Sequence, residues 1–440
     1  MQNHLLDIVE AQANEEPIGV YSVCSSNKYV LKAAILQARK DDSFVLIEPT
    51  ANQVNQFGGY TGMKPEGFVN FLSFLADEAG FPKSRIVLGG DHLGPNPWRS
   101  ESAQKAMEKS RELVRQYVEA GFTKIHLDTS IPCADDEVAP GAAMDDQVVA
   151  QRAADLCRVA EDTFQNMQND LVRPVYVIGT EVPIPGGAEG ELHDIRVTEV
   201  EAARNTLETT KKAFLSEGLE EAWDRVIAQV VQPGVEFGNS RIVEYDPGKA
   251  SDLSAFIKEY DDKIFEAHST DYQPLSRLKK LVKDSFAILK VGPWLTFAFR
   301  EAIFSLSYIE EELLSGKASV ELSNFRAVLE DIMINNPASW ENYYDGKESR
   351  LKFLRKYSYS DRSRYYWQKK SVQEAVNRLF RNLTKNEIPI PLISQFLPSQ
   401  FKAIHRGDLE KDPEAMSLHK VQEILKIYSK ATGQRKLHLN

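Results

Sequence analysis

Eight polar residues stand just beyond short apolar or β-branched runs: Glu48, Asp91, His92, Asp128, Glu181, His268, Asp271 and Lys290. Carboxylates and imidazoles gathered in an apolar setting lose hydration, and the carboxylates repel one another, unless a positive charge joins them. A divalent cation is the simplest such charge. Imidazole with carboxylate, and no thiolate except Cys24 nearby, suits zinc, with manganese, nickel or cobalt as alternatives. The expected ligands are His92, Glu181 and His268, which leave positions open for water or substrate. Asp91, beside His92, is the expected general acid/base; Asp128 is a second carboxylate for that chemistry or a fourth ligand.

One histidine at a strand end is more often a hydrogen-bonded structural residue, so the convergence of several residues carries this reading. His126 precedes Asp128 by two positions on the same strand face and is expected to be a residue of the barrel's interior layers or a donor behind the ligands, rather than a ligand. Lys290 invites a Schiff-base role, but so many carboxylates favour a salt-bridged or substrate-contacting ammonium. Glu48, Asn52, Gln53, Asp271, Lys290 and Gly292 are the expected substrate contacts. The amides of 52–56 suit hydroxyl-rich ligands, and Gly58, Gly59, Gly89, Gly90, Gly186, Gly187 and Gly292 allow close backbone approach. Lys28, Arg277, Lys279 and Lys290 are the cations available to a phosphate.

The runs that must position these residues cover 18–24, 44–47, 86–88, 124–127, 175–178, 226–231, 263–267 and 286–291. Most are apolar on both faces, as parallel strands covered by helices are, and amphipathic stretches such as 102–120 and 143–164 lie between them. Eight strand–helix units predict an α/β fold, a (β/α)8 TIM barrel over 1–294 whose C-terminal rim carries the polar set. No G-x-G-x-x-G follows a strand to support a dinucleotide fold. From 295 to 440 the periodicity is helical, predicting a C-terminal helical extension packed on the barrel. Its stretch 360–367 (SDRSRYYW) mixes arginines with aromatics and is expected to pack at the surface, with contact to a ligand or a partner subunit as the alternative.

The chain has 440 residues and a net charge of -11, which would repel a phosphodiester backbone, so nucleic acid is not an expected partner. Its three cysteines are widely spaced, which argues against a disulfide framework. No apolar run reaches membrane-spanning length and the first residues lack a signal-peptide layout, so a cytoplasmic protein is expected.

Six motifs together resemble the Z subunit of bacterial tagatose-1,6-bisphosphate aldolases: 52–63 (NQVNQFGGYTGM), 89–95 (GGDHLGP), 124–130 (KIHLDTS), 179–183 (GTEVP), 266–273 (EAHSTDYQ) and 289–293 (LKVGP). The likeness continues through 360–367 and 393–401. It implies an oligomeric partner of a class II aldolase Y subunit, needed for that subunit's full activity and stability. The pathway implied is galactitol and amino-sugar breakdown, in which tagatose 1,6-bisphosphate gives dihydroxyacetone phosphate and glyceraldehyde 3-phosphate. An older kinase reading of such subunits finds no G-x-x-x-x-G-K-[ST] here. The pair Asp91–His92 is similar to the Asp–His pair of catalytic class II aldolases, where Asp is the acid/base and His a metal ligand. Wider relatives are associated with ketose 4-epimerisation. The alternative is therefore an independently active metal-dependent epimerase or aldolase on a ketose or ketose phosphate.

Overall fold

The computed structural model describes residues 3–139, 143–167, 172–180 and 195–437. Eight parallel strands close a barrel: β1 (Val20–Val23), β2 (Val45–Ile47), β3 (Ile86–Leu93), β4 (Lys124–Leu127), β5 (Val175–Ile178), β6 (Val226–Val231), β7 (Ile264–Ala267) and β8 (Phe286–Val291). Each strand pairs with its sequence neighbours, and β8 pairs with β1 in the register Val20↔Ile288, Ser22↔Lys290. Helices cover the outer faces, so nearly all strand residues are buried and the runs read as largely apolar.

Side chains alternate in and out along a strand, so each inward position repeats every second residue. Val20, Leu46, Val87, Val175, Ile264 and Ile288 fill the lower interior with Leu5 and Ile8 of the helix His4–Ala13, which plugs the barrel floor. Asn3 fixes that plug: its side chain accepts from Leu5 N at 3.1 Å and donates to Thr123 O at 3.1 Å. Two residues further along the same strands stand Glu48, Glu266 and Lys290, with Lys124 and His126 on β4, all buried. The interior thus turns from apolar to ionic at mid-height.

β3 runs five residues beyond the expected 86–88, and glycine is the reason. A Cβ on Gly89 would come within 2.5 Å of Glu48 Cγ, and one on Gly94 within 1.7 Å of the Asp128 carbonyl oxygen. Bare backbone lets β3 pass between its neighbours, with a bulge between Gly90 and Leu93 against β4.

The stretch after 294 is built into the barrel. The helix Pro293–Leu314 leaves β8 directly, with proline in its first turn. The last long helix, Pro413–Thr432, packs against helices Lys28–Asp41, Leu275–Lys283 and Pro293–Leu314, taking a place in the barrel's helical layer. Thr432 O accepts the Gly19 amide at 2.8 Å, Tyr428 OH donates to Thr270 O at 2.7 Å, and Gln434 Nε2 donates to Phe44 O at 2.9 Å. None of the described helices is long and apolar enough to cross a membrane.

Candidate metal centre

The β3 bulge carries Asp91 and His92, and it turns both toward the barrel mouth where strict alternation would send one outward. His92 adopts a left-handed backbone, φ 50°, which costs a non-glycine residue about 1–3 kcal/mol and persists only where neighbours enforce it. Its neighbours do: His92 Nδ1 lies 2.7 Å from Asp128 Oδ2, and its backbone N–H lies 3.2 Å from His126 Nδ1.

Three histidine rings converge here, with centroids 4.9 Å (His92–His268), 5.1 Å (His92–His126) and 5.4 Å (His126–His268) apart. Each has a carboxylate on one nitrogen: Asp128 on His92, Asp91 on His126 at 3.0 Å, and Glu266 on His268 at 2.8 Å. For His92 and His268 a carboxylate on one imidazole nitrogen fixes the tautomer that bares the other, the arrangement that metal-binding histidines use, whereas His126 Nδ1 is shared between Asp91 and the His92 N–H. His126 Nε2 is fully buried with no hydrogen-bond partner among the described residues. One ligand atom from each of Asp91, His92, His126 and His268 lies within 4.8 Å of the others, close enough to share one ion. Glu181, the expected third ligand, and Gly186 and Gly187 lie outside the described residues.

Beneath the cluster sits an ion network. Lys124 contacts Glu48 at 2.7 Å and Glu266 at 2.6 Å; Lys290 contacts Glu48 at 2.7 Å, Asp91 at 2.9 Å and Glu266 at 3.6 Å. Glu48, Asp91 and Glu266 also cluster tightly, but the Lys290 ammonium occupies the place between them. Counting Asp128, four buried carboxylates meet two buried ammoniums. The excess of two negative charges is what a divalent cation at the histidines would neutralise.

Burial pushes Asp91 up, but His92, Lys290 and His126 hold it well below the usual carboxylate range, so it is ionised. Burial likewise raises Asp128, yet its bond to His92 brings it down to about 2. Burial lowers His268 to about 4, against the pull of Glu266, leaving a neutral ring at pH 7. Burial also lowers His92, but Asp91 and Asp128 outweigh it and raise the ring; carboxylates that favour a proton there would equally favour a metal ion. Burial disfavours a charged Lys290, but Asp91 and the glutamates raise it well above the ordinary value, so it is an ammonium and not a Schiff-base amine.

Above the cluster opens a cavity of about 80 Å³. Of the expected substrate contacts, Asn52, Gln53, Asp271, Lys290 and Gly292 line it with Asp91, His92 and His268. Glu48 lies below, spent on the two lysines. Asp128 stands behind His92, also held by Ser130 Oγ at 2.7 Å. Asp271 accepts the Gly292 and Trp294 amides at 3.0 and 2.8 Å, and burial raises it to about 6 against those bonds. Asn55 and Gln56 serve the loop itself, bonding the Phe57 and Gly59 amides and the Lys109 carbonyl.

Tyr60, Arg364 and Tyr365 also line the cavity. The last two come from the stretch 360–367, read from sequence as surface. Asp361 anchors that stretch by accepting from Thr296 Oγ1 at 2.6 Å and pairing with Arg300 at 3.1 Å. Burial raises Tyr365, but Arg364 and Arg362 together bring it below the usual phenol value.

The family model described as D-tagatose-1,6-bisphosphate aldolase subunit GatZ/KbaZ-like matches residues 5–433. Among solved structures, a probable tagatose 6 phosphate kinase from Sinorhizobium meliloti 1021 is 43% identical, covers 94% of this chain and 100% of its own, and superposes with a TM-score of 0.85. Fructose-bisphosphate aldolase from Campylobacter jejuni is 16% identical over 88% of this chain and 96% of its own, at a TM-score of 0.41. The YdjI aldolase from Escherichia coli K12 is 10% identical over 86% and 97%, at 0.40.

Proposed function

Because the chain belongs to the GatZ/KbaZ-like family of D-tagatose-1,6-bisphosphate aldolase subunits, we propose that it works as such a subunit while keeping a metal-dependent aldol-type site of its own. The observation that carries this is the set of three buried histidines, each backed by a carboxylate, at the mouth of one barrel. The family relation supports a class II aldolase Y subunit as partner, with this chain sustaining its activity and stability in galactitol and amino-sugar breakdown.

His92 and His268, with His126 or Glu181, would hold a divalent ion, zinc or else manganese, nickel or cobalt. When bound, that ion supplies electrophilic polarisation of a ketose carbonyl. Asp91, ionised and facing the same cavity, takes the O4 proton as the C3–C4 bond opens, leaving an aldehyde and an enediolate fragment. Lys290 keeps Asp91 charged between turnovers, and Asn52 and Gln53 present amides to the sugar hydroxyls. Asp91 returns its proton to C3 of the enediolate once the aldehyde departs, or to O4 when the aldehyde re-adds.

A second reading follows from the fact that all of these groups come from one chain. Re-addition to the other aldehyde face would make the chain alone a ketose 4-epimerase of the fructose–tagatose type. The test is to purify the chain, count bound metal, and assay tagatose 1,6-bisphosphate cleavage and fructose–tagatose interconversion with and without a Y subunit. Turnover only in the mixture favours the subunit role; turnover by the chain alone favours the epimerase or aldolase. A chain that binds no metal refutes the centre.

A further inference from the structure

We infer that the chain carries a second ligand site on its flank, a basic recess that takes a small metabolite bearing two phosphate groups. Its walls come from the helices Lys28–Asp41, Pro398–His405 and Pro413–Thr432. No residue lines both this recess and the cavity over the histidines, so failure of the metal centre would leave it untouched.

The recess measures about 520 Å³. That falls within the roughly 300–1,000 Å³ of small-molecule pockets. In a chain of net charge -11, five cations line it: Lys40, Lys402, Arg406, Lys426 and Lys430. Two carboxylates line it too, and both are engaged. Asp41 accepts from Gln37 Nε2 at 2.9 Å, and Glu423 accepts from Gln400 Nε2 at 3.4 Å. Arg406 pairs with Asp408 at 2.8 Å, but the four lysines make no ion pair among the described residues. Lys40 donates to Gln422 Oε1 at 3.3 Å, and the buried Gln422 Nε2 has no acceptor among the described residues. Even counting Asp408, the recess holds an excess of two positive charges.

The groups inside feel that excess. Burial lowers the Lys40 ammonium, and Lys426 and Arg39 lower it further, against Asp41 and Asp408. Burial lowers His419 as well, and Lys40, Lys426 and Arg406 add to this against Glu423. Cations that resist one another's charge are relieved by an anion placed among them. Lysines are point charges suited to phosphate, whereas the arginine whose flat fork would favour a carboxylate is tied to Asp408. Leu275, Ile427 and the His419 ring give an organic body a surface to pack on. The buried Gln37 and Gln422 make the recess concave, which favours a compact ligand over a lipid surface or an acidic segment of another protein.

The test is calorimetric titration of the full chain, with and without zinc, with ADP, AMP, fructose 1,6-bisphosphate and fructose 6-phosphate. ADP or fructose 1,6-bisphosphate should bind at least about tenfold tighter than its monophosphate counterpart, and the one that does so identifies the organic body. Lys402→Gln combined with Lys426→Gln should weaken that binding at least about tenfold and leave zinc content unchanged. Lys430→Gln alone should give a smaller loss of the same sign. Lys212→Gln, the same charge change on the helix Val200–Ser216, should alter it by less than about twofold, since distant surface charges are screened. Binding that survives the paired substitution belongs elsewhere and overturns the inference, as do monophosphates that bind equally well and the absence of binding by either doubly phosphorylated probe. Tighter lysine-dependent binding of a polyglutamate peptide or of phosphatidylserine vesicles would assign the recess to a macromolecule and overturn it too.

Discussion

Lys290 Nζ lies 2.9 Å from Asp91 Oδ1 at the base of the cavity, both side chains buried, and the same ammonium reaches Glu48 and Glu266. Lys290→Met would leave three buried carboxylates facing Lys124 alone. Removing one partner of a buried ion pair costs about 3–5 kcal/mol, so urea unfolding should show a loss of that order. Unchanged stability would mean that water already screens this network.

Metal binding separates the two candidates for third ligand. His92→Ala and His268→Ala should each abolish tight zinc binding, read by metal analysis after dialysis. If His126 is the third ligand, His126→Ala behaves the same way while Glu181→Ala keeps zinc; the reverse pattern assigns Glu181. Asp128→Asn should weaken affinity by about 10–100-fold, because it only orients His92. Full stoichiometry in His92→Ala would remove the centre from this cluster.

Turnover should depend on Asp91 without metal doing so. Asp91→Asn is expected to keep zinc and lose about 10²–10⁴-fold in rate, the usual worth of a positioned acid/base. Rates within a few-fold of the parent would exclude Asp91 from proton transfer.

Glu236, on the short hairpin of Glu236–Phe237 with Ile242–Val243, makes pH a probe of folding. Burial raises its carboxyl from 4.5 to about 7, despite the bond it accepts from the Phe237 amide. The folded state therefore holds this proton more tightly than the unfolded chain. Its contribution to stability is complete below pH 4.5 and is lost as pH rises through about 7. Glu236→Gln keeps the neutral shape and should raise the melting temperature above pH 7 while flattening its decline between 4.5 and 7. Parallel curves for parent and variant would show that Glu236 is solvated.

Gly94→Ala tests the glycine passage of β3. The added methyl would stand 1.7 Å from the Asp128 carbonyl, so the end of β4 must move, and with it the carboxylate that steers His92. Both stability and zinc affinity should fall; retention of both would show that the two strands separate freely.

The eight strands were legible because parallel strands under helices leave continuous apolar runs, and seven of the eight runs match within two residues at either end. The run 86–88 fell short because Gly89, Gly90, Asp91 and His92 carry no strand signal, although they extend β3. His126 reads from sequence as an interior-layer or supporting residue, and inward parity with Lys124 and Asp128 does put it in a layer, with its ring beside those of His92 and His268. Glu266 went unremarked inside an apolar run: its role follows from which face it points to, not from its type. Arg364 and Tyr365 read from sequence as surface packing before ligand contact, since a helical period does not reveal which distant turn folds back over a barrel mouth.

The helix Pro413–Thr432 fills the gap in the outer layer between helices Leu275–Lys283 and Lys28–Asp41, and its end is bonded to the first strand. During synthesis β1 therefore waits for a segment made far downstream of it. Until the ribosome has released residues past 432, the nascent barrel has an uncovered flank, and premature termination in the final helix would leave that apolar flank open to chaperones or aggregation.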